Sequence, residues 1–138
     1  MGCDIHGWIE VDLFGDIESM TTKSWYPHVD ISMIADRDYT LFGKLFGVRT
    51  EEKGLFSNRG LPKDERTHEE KNWRDLDYEN WDADLHSTSH VYQSELSQHM
   101  EEIIPIASNG WLAVFEIMKS LAKIKGSKNV RLVVWFDN

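Results

Sequence analysis

The segment CDIHGWIEVDL, residues 3–13, decides the fold because its side chains alternate strictly in polarity. One side of this alternation is apolar and consists of Cys3, Ile5, Gly7, Ile9, Val11 and Leu13. The opposite side is polar or aromatic and consists of Asp4, His6, Trp8, Glu10 and Asp12. A period of two over this length predicts a β-strand that turns one face to the core.

The segment NVRLVVWFD, residues 129–137, predicts a second strand near the other end of the chain. Its two alternating sets are Val130, Leu132, Val134 and Phe136 on one side, and Arg131, Val133 and Trp135 on the other. Because both sets contain large apolar side chains, both faces of this strand are expected to be buried. We therefore expect it to lie centrally, in the same sheet as the first strand.

Between these strands the apolar residues recur at helical spacing. The clearest helix is predicted over residues 108–125 and ends at Gly126; its apolar stripe is Trp111, Val114, Phe115, Met118, Leu121 and Ala122. A shorter helix carrying Leu41, Phe42, Leu45 and Phe46 is predicted between a capping Asp36 or Asp38 and Gly47. A third helix is expected over about 94–103, before Pro105.

The remaining segments are predicted to be extended or irregular. A further extended stretch is expected over about 17–26 and is ended by Pro27, and residues 58–62 form a turn. Residues 62–85 carry nine acidic and four basic side chains, together with Trp73, Tyr78 and Trp81. We expect this segment to be a long acidic surface loop with at most a short helix over about 69–73.

These elements predict an α+β fold in which a small mixed sheet includes both terminal strands and is covered by two or three helices. A length of 138 residues is typical of a single domain, so residues 1–138 are expected to form one. A chain of this length can bury a sizeable core without disulfides or a structural metal.

Charge and composition exclude several classes of protein. Lys and Arg total 15 against 24 Asp and Glu, a net charge of −9, which disfavours binding to duplex nucleic acid. No apolar run reaches the roughly 20 residues of a membrane-spanning helix, so no membrane association is expected. With Cys3 as the single cysteine, an internal disulfide is impossible, and a reducing, cytoplasmic location is expected.

One candidate site is a divalent metal centre. Asp4 and His6 leave the same strand face about 7 Å apart, and such side chains can share one ion. Asp82, Asp84 and His86 offer further oxygen and nitrogen ligands. A metal held by Asp4, His6, Asp84 and His86 would lower the pKa of a bound water and support hydrolysis of a phosphoester. The alternative is a Ser- and Thr-rich turn around 86–90 that only caps a neighbouring element.

A second candidate site binds an anionic ligand through arginine and aromatic side chains. Arg59 follows Asn58 in a predicted turn, and Arg131 interrupts an apolar strand, so its charge must be paired or belong to a site. Arginine presents a rigid fork that suits phosphate, and tryptophan can stack a base. The predicted ligand-binding set is Trp8, Arg59, His86, Ser87, Arg131 and Trp135. The alternative is that the arginines pair with carboxylates of the chain.

Cys3 is expected to be a buried core thiol. A cysteine nucleophile needs a neighbouring base. His6, three residues along the same predicted strand, lies on its opposite face and cannot serve Cys3.

Several segments, taken in order, resemble a set of small, mostly uncharacterised proteins encoded by bacteriophages and prophages. They are Met-x-Cys-Asp-Ile-His at 1–6, Arg37-Asp38-Tyr39 with Leu41-Phe42, Arg59-Gly60-Leu61-Pro62, His86-Ser87-x-Ser89, and Val-Arg-Leu-Val-Val-Trp-Phe-Asp-Asn at 130–138. The resemblance implies an aromatic residue at position 90, where this chain has His90. It also implies a viral counter-defence protein of the sponge type, acting in the host cytoplasm.

Three functional hypotheses follow. The first is a homo-oligomeric protein that needs no cofactor and sequesters a nucleotide-type, possibly cyclic, second messenger without cleaving it. The second is the metal-dependent phosphoesterase described above. The third is an acidic inhibitor of another protein, in which residues 62–85 imitate nucleic acid or dock on a basic partner.

Overall fold

A four-stranded antiparallel sheet with the strand order β2-β1-β4-β3 forms the centre of the computed structural model, which describes residues 2–19, 23–64, 70–81 and 84–137. The strands are β1 (Asp4–Asp12), β2 (Trp25–Asp30), β3 (His86–Tyr92) and β4 (Val130–Asp137). The helices are α1 (Tyr39–Phe46), α2 (Trp73–Glu79), α3 (Gln93–Leu96), α4 (Met100–Ile103) and α5 (Asn109–Lys125). The predicted α+β class and the place of both terminal strands in the sheet are confirmed. The three strand pairings are all antiparallel, so the sheet is more regular than the mixed sheet that was expected.

The two terminal strands pair with each other at the centre of the sheet. Ile5 lies opposite Phe136 and Ile9 opposite Leu132, and these side chains point into the core. Gly7 is required at this pairing, because a Cβ there would lie 2.2 Å from the carbonyl oxygen of Val133. The expectation that β4 is central and buried on both faces is confirmed.

One face of the sheet packs against the predicted helices. In α1, the Asp38 side chain accepts a hydrogen bond from the Leu41 amide, and Gly47 ends the helix at φ 67°. The predicted stripe of α5 is buried from Trp111 to Met118, whereas its last two members, Leu121 and Ala122, are only partly buried. The expected helix over 94–103 is divided into α3 and α4, since residues 97–99 form a turn between them.

The extended stretch expected over 17–26 is wrong in its bounds. Strand β2 begins only at Trp25 and continues through Pro27 to Asp30. Proline is tolerated there because β2 is an edge strand and its pairing with β1 shifts register between Ile9 and Glu10. Residues 20–22 lie outside the described part of the chain.

The acidic segment contains more structure than was expected, and it covers the second face of the sheet. Helix α2 begins where the short helix over 69–73 was expected to end. Asn72 caps it through a reciprocal pair of hydrogen bonds with Asp75. We refer to residues 70–81 as the outer segment. Residues 65–69 and 82–83 of the predicted loop lie outside the described residues.

Residues 86–90 belong to strand β3 and do not form the Ser- and Thr-rich turn that was the alternative expectation. It is an edge strand with an extra residue between His86 and Ser89, where Ser87 adopts a φ of 56°. Among the helices that the structure describes, none is both long and apolar enough to cross a bilayer.

Candidate functional site

One end of the sheet gathers polar side chains from four elements. This is the end at which strands β1 and β3 and helix α1 begin and strand β4 ends. Asp4 of β1 lies opposite Asp137 of β4. The Cys3 amide donates a hydrogen bond of 3.1 Å to the Tyr39 hydroxyl. We refer to this group as the sheet-end cluster, which consists of Cys3, Asp4, His6, Arg37, Tyr39, Arg49, His86, Ser87 and Asp137. Residues that are far apart in sequence therefore meet at one place.

A groove adjoins the sheet-end cluster between α1 and the loop 48–55. Its volume is about 510 Å³, and we refer to it as the α1 groove. The cations Lys44, Arg49 and Lys53 line it together with one carboxylate, Glu52. Its other lining residues are Tyr39, Thr40, Gly43, Thr50, Leu55 and Ile106. In a chain with a net charge of −9, this groove is a local concentration of positive charge.

The loop 48–55 forms the wall of the α1 groove because it hydrogen-bonds back to the end of α1. The Leu55 amide donates to the Lys44 carbonyl, and the Phe56 amide donates to the Leu45 carbonyl. Gly54 allows this close approach, since a Cβ there would lie 2.3 Å from the Gly47 nitrogen. The carbonyls at the end of the helix thereby gain partners and hold the loop in place.

Arg49 and Ser87 are held in strained backbone conformations at this end of the molecule. Arg49 has a φ of 61° and Ser87 a φ of 56°, in the left-handed region that residues with a Cβ rarely adopt. The Arg49 guanidinium carbon lies 5.2 Å from the centre of the Tyr39 ring. A third described residue of this kind, Asn58 at a φ of 53°, lies in the turn before Gly60. Strained residues often occur at functional sites, and two of the three lie at this end of the sheet.

Cys3 is fully buried, as expected, but it has a partner that the sequence did not reveal. Its Sγ lies 3.9 Å from His86 Nε2, and His86 Nδ1 lies 2.9 Å from Ser87 Oγ. Burial raises the pKa of the Cys3 thiol, while the charge and a hydrogen bond of Arg49 act in the opposite direction. The sequence pattern offers only His6, on the same strand, as a base, whereas strand pairing brings His86 to Cys3 across 83 residues of chain.

The polar face of β1 makes different contacts. Arg37 binds the Asp4 carboxylate with its Nε and Nη2 atoms, and these contacts lower the pKa of Asp4. His6 Nε2 lies 3.4 Å from Asp137 Oδ2. The His6 ring also stacks on Trp81 of the outer segment, with ring centres 3.8 Å apart.

The strand register separates the residues predicted to share a metal. His86 lies opposite Phe136, which lies opposite Ile5, so His86 belongs to the core-facing side. Asp4 and His6 project from the opposite side. Asp84 lies in an exposed turn before β3, and Asp82 is outside the described residues. Within the described ranges, no three His, Cys, Asp or Glu side chains are grouped to hold a metal ion.

Arg131, predicted to bind a ligand phosphate, is buried in an internal network of charges. Its guanidinium bonds to the carboxylates of Glu10 and Asp64 and lies 4.0 Å from the centre of the Trp25 ring. Burial acts to lower the pKa of Arg131, but the two carboxylates together raise it. Arg74, also buried, bonds to Glu10 at 3.1 Å. In this arrangement the charge of Arg131 is neutralised by the chain's own carboxylates.

The predicted ligand-binding residues fall into three groups. Trp8 and Trp135 share the outer sheet face with Arg131; Trp8 Nε1 donates to Asp77 at 2.9 Å, and the Trp135 ring meets Tyr78 edge-on. Arg59 lies beside β3 and forms a surface ion pair with Glu95. Neither tryptophan belongs to the α1 groove. His86 and Ser87 belong to the sheet-end cluster, next to that groove, and the binding roles of these residues remain predictions.

The sequence does not predict the α1 groove, because the three cations that line it form no recognisable motif. Lys44 stands alone within the apolar helix sequence, Lys53 follows two glutamates, and Arg49 is one of several arginines with no distinguishing motif. When the chain is compared with protein-family models, curated proteins and solved structures, no match is found. The function must therefore be argued from the sheet-end cluster and the α1 groove themselves.

Proposed function

We propose that this protein binds and holds a small nucleotide-like anion in the α1 groove without cleaving it. The observation that carries the proposal is the gathering of Lys44, Arg49 and Lys53 around one groove of a chain whose net charge is −9. In a chain with an excess of carboxylates, three cations lining one groove favour a localised anion site. For a phage-encoded protein, as the resemblance implies, such binding would serve to withdraw a host second messenger.

The cations of the groove can be reached by a ligand. Arg49 and Lys53 are exposed, and Lys44 forms a 3.0 Å ion pair with Glu102 in which both side chains are partly exposed. An exposed ion pair contributes only about 0–1 kcal/mol to stability, so a phosphate can replace the Glu102 carboxylate at little cost. Arg49 adds the planar fork that binds two phosphate oxygens at once.

The remaining groove residues suit the uncharged part of a nucleotide. Tyr39, Leu55 and Ile106 offer aromatic and apolar surface, whereas the hydroxyls of Thr40 and Thr50 can bond to sugar or base. Sequestration requires tight binding, and a Kd of about 10 nM corresponds to about −11 kcal/mol. Two or three charge-assisted contacts, at about 1.5–3 kcal/mol each, together with burial of the base would supply much of this.

The direct test is depletion of a nucleotide panel by the purified protein. The panel consists of 3′,5′-cyclic mononucleotides, cyclic dinucleotides and linear nucleoside polyphosphates, which are measured by chromatography before and after the protein is heated. We expect one nucleotide to disappear and to return intact on heating. A nucleotide that returns as product would replace sequestration by catalysis, and the metal dependence would then be measured.

If no member of the panel is depleted, the proposed ligand class is wrong and a protein partner becomes the hypothesis to test. The resemblance also leads us to expect a homo-oligomer, since proteins that sequester messengers often place their sites between subunits. Sedimentation velocity of the unliganded protein tests this expectation.

A further inference from the structure

We propose that the end of the sheet opposite the sheet-end cluster is an interface with a second copy of this chain. A basic and apolar surface lies at this end, and an acidic and apolar face of α2 lies beside it. The proposal goes beyond the proposed function, because it concerns a different surface and requires no ligand.

The basic and apolar surface forms where β1 and α5 both end. Lys125 joins the two elements, since its Nζ donates to the Leu13 carbonyl and to the Asp16 carboxylate, at 3.0 Å in each case. The exposed side chains of this surface, which we call the basic end, are Leu13, Phe14, Ile17, Lys123, Ile124 and Lys128. Exposed apolar side chains grouped in this way are typical of surfaces that bind another protein.

The basic end is a concentration of cations in an acidic chain. Four lysines and no carboxylate occur between Glu116 and Asp137. Lys123 and Lys128 are exposed and form no ion pair with any residue that the structure describes. Their charges are therefore available to carboxylates of a partner.

The carboxylates near the basic end do not cancel its charge. Asp16 pairs with Lys125, and the buried Asp12 carboxylate lies 3.2 Å from Lys23 Nζ. Glu18 is the remaining acidic side chain in the described turn that follows β1. The two exposed lysines of the basic end outnumber it, so the surface keeps an excess of positive charge.

Helix α2 presents the complementary surface. Trp73 and Leu76 lie three residues apart, on one side of the helix, and 63% of the Trp73 surface is exposed. Residues 70–79 contain four carboxylates and two cations, of which Arg74 is buried. The other cation is paired with Glu79 on the surface. We refer to Trp73, Leu76 and Glu79 as the acidic face.

The basic end and the acidic face lie at the same end of the sheet. The Leu13 amide donates to the Ser24 carbonyl, and the carbonyl of the next residue, Trp25, accepts a hydrogen bond of 3.5 Å from Asn72, the cap of α2. Because the two surfaces are neighbours in one chain, a two-fold axis between them can place each surface against its complement in the second copy. Such an interface closes as a dimer.

Charge complementarity favours a second copy as the partner. The basic end requires a partner that is both acidic and apolar, and the acidic face of this chain meets both requirements. Tryptophan is also among the side chains that contribute most to binding at protein interfaces. A nucleic acid fits less well, because its phosphates would leave the apolar side chains of the basic end uncovered.

The test is sedimentation velocity of the full chain without ligand, at concentrations from about 1 to 100 μM. We expect a reversible equilibrium between monomer and dimer. The dissociation constant of the dimer should rise severalfold when the salt concentration is raised from about 0.1 M to about 1 M, since screening weakens the attraction between the two surfaces.

Trp73→Ala should raise the dissociation constant of the dimer by about tenfold or more. Alanine favours the helix and the tryptophan is largely exposed, so far-UV circular dichroism should show an unchanged fold. If Trp73→Ala does not fold, Ile124→Lys is the second variant, because Ile124 is 69% exposed at the end of α5. We expect it to weaken the dimer severalfold.

Charge reversal tests whether the two surfaces meet. Lys123→Glu and Glu79→Lys should each weaken the dimer by about tenfold or more, because each places like charges across the interface. An equimolar mixture of the two variants should form a heterodimer, since both of its contacts again join opposite charges. Lys53→Glu makes the same change of charge at the α1 groove and should leave the dissociation constant within about twofold of wild type.

A wild type that remains monomeric at about 100 μM would overturn the proposal in favour of a different acidic protein as the partner. A dimer that neither Trp73→Ala nor Lys123→Glu weakens would also overturn it, because that dimer would form through another surface. Trp73→Ala should deplete the nucleotide panel as the wild type does. Failure of the interface is thereby distinguished from failure of the α1 groove.

Discussion

His90 brings a titratable ring into a partly buried position beside the turn that contains Gly60. Its Nδ1 lies 2.9 Å from the Gly60 carbonyl. Burial lowers the pKa of His90 below its ordinary value of 6.5; the hydrogen bond with Gly60 opposes this shift, and the charges of Arg131 and Arg59 reinforce it. Below about pH 6.5 the folded state therefore binds fewer protons than the unfolded state. The free energy of unfolding consequently decreases as the pH falls.

We predict that His90→Asn makes stability less sensitive to pH between 7.5 and 5.5. Asparagine keeps an amide donor for the Gly60 carbonyl but does not titrate in this range. The free energy of unfolding, measured with urea at pH 7.5, 6.5 and 5.5, should decrease less in the variant than in the wild type. Identical pH dependence in the two proteins would contradict this assignment.

At the level of single residues, the sequence predicted which side chains are buried or need a charge partner more readily than it predicted which residues they contact. Burial of Cys3 and the need of Arg131 for a partner both followed from strand alternation. The partner of Cys3 did not, because His86 is brought to it by the pairing of β3 with β4. The importance of Arg49 was equally invisible, since its left-handed backbone arises only when the loop 48–55 folds back on α1.

At the level of elements, a buried ion network joins the two central strands to Asp64 and the outer segment. Glu10 on β1 and Arg131 on β4 face each other with almost no exposed surface, and Asp64 binds the same guanidinium. Removing one partner of a buried pair leaves an uncompensated charge, which typically costs about 3–5 kcal/mol.

We therefore predict that Arg131→Ala lowers the free energy of unfolding by about 3–5 kcal/mol, measured by urea denaturation. The matched control is Arg59→Ala, which removes a partly exposed ion pair with Glu95 and should cost less than about 1 kcal/mol. Arg131→Lys keeps the positive charge but lacks the planar guanidinium, so its loss in free energy of unfolding should lie between these two values. A loss for Arg131→Ala no larger than that for Arg59→Ala would contradict the network's structural role.

The elements with apolar periodicity could be predicted, and the others could not. Strands β1 and β4 and helices α1 and α5 follow their apolar patterns to within a residue or two at each end. Helix α2 carries no such pattern because it packs through Arg74 on Glu10 and through Asp77 on Trp8. Strand β2 continues through Pro27 because it lies at a sheet edge, a position that no local pattern reveals.

At the level of the whole molecule, ligand binding should stabilise the entire fold. The α1 groove is formed by α1 and a loop attached to it, and Leu41, Phe42, Leu45 and Phe46 on the same helix are part of the core. A ligand that binds only the folded chain adds about 2.7 kcal/mol when its concentration is 100 times Kd.

We predict that the nucleotide retained from the panel raises the melting temperature by roughly 10 °C at that ratio of concentration to Kd. The measurement is a thermal unfolding scan with and without ligand. Retention of a nucleotide without any shift would indicate that it does not bind the folded state, and the proposed site would then be wrong.

If the cations of the α1 groove bind the anion, removal of Arg49 must weaken binding, and equilibrium dialysis of the retained nucleotide against three proteins measures this effect. These are the wild type, Arg49→Gln, and Lys119→Gln as a control that removes an exposed cation from α5. We predict that Arg49→Gln weakens binding at least about tenfold, or about 1.4 kcal/mol, whereas Lys119→Gln changes Kd by less than about twofold. Equal affinity of Arg49→Gln and the wild type would show that the α1 groove is not the anion site.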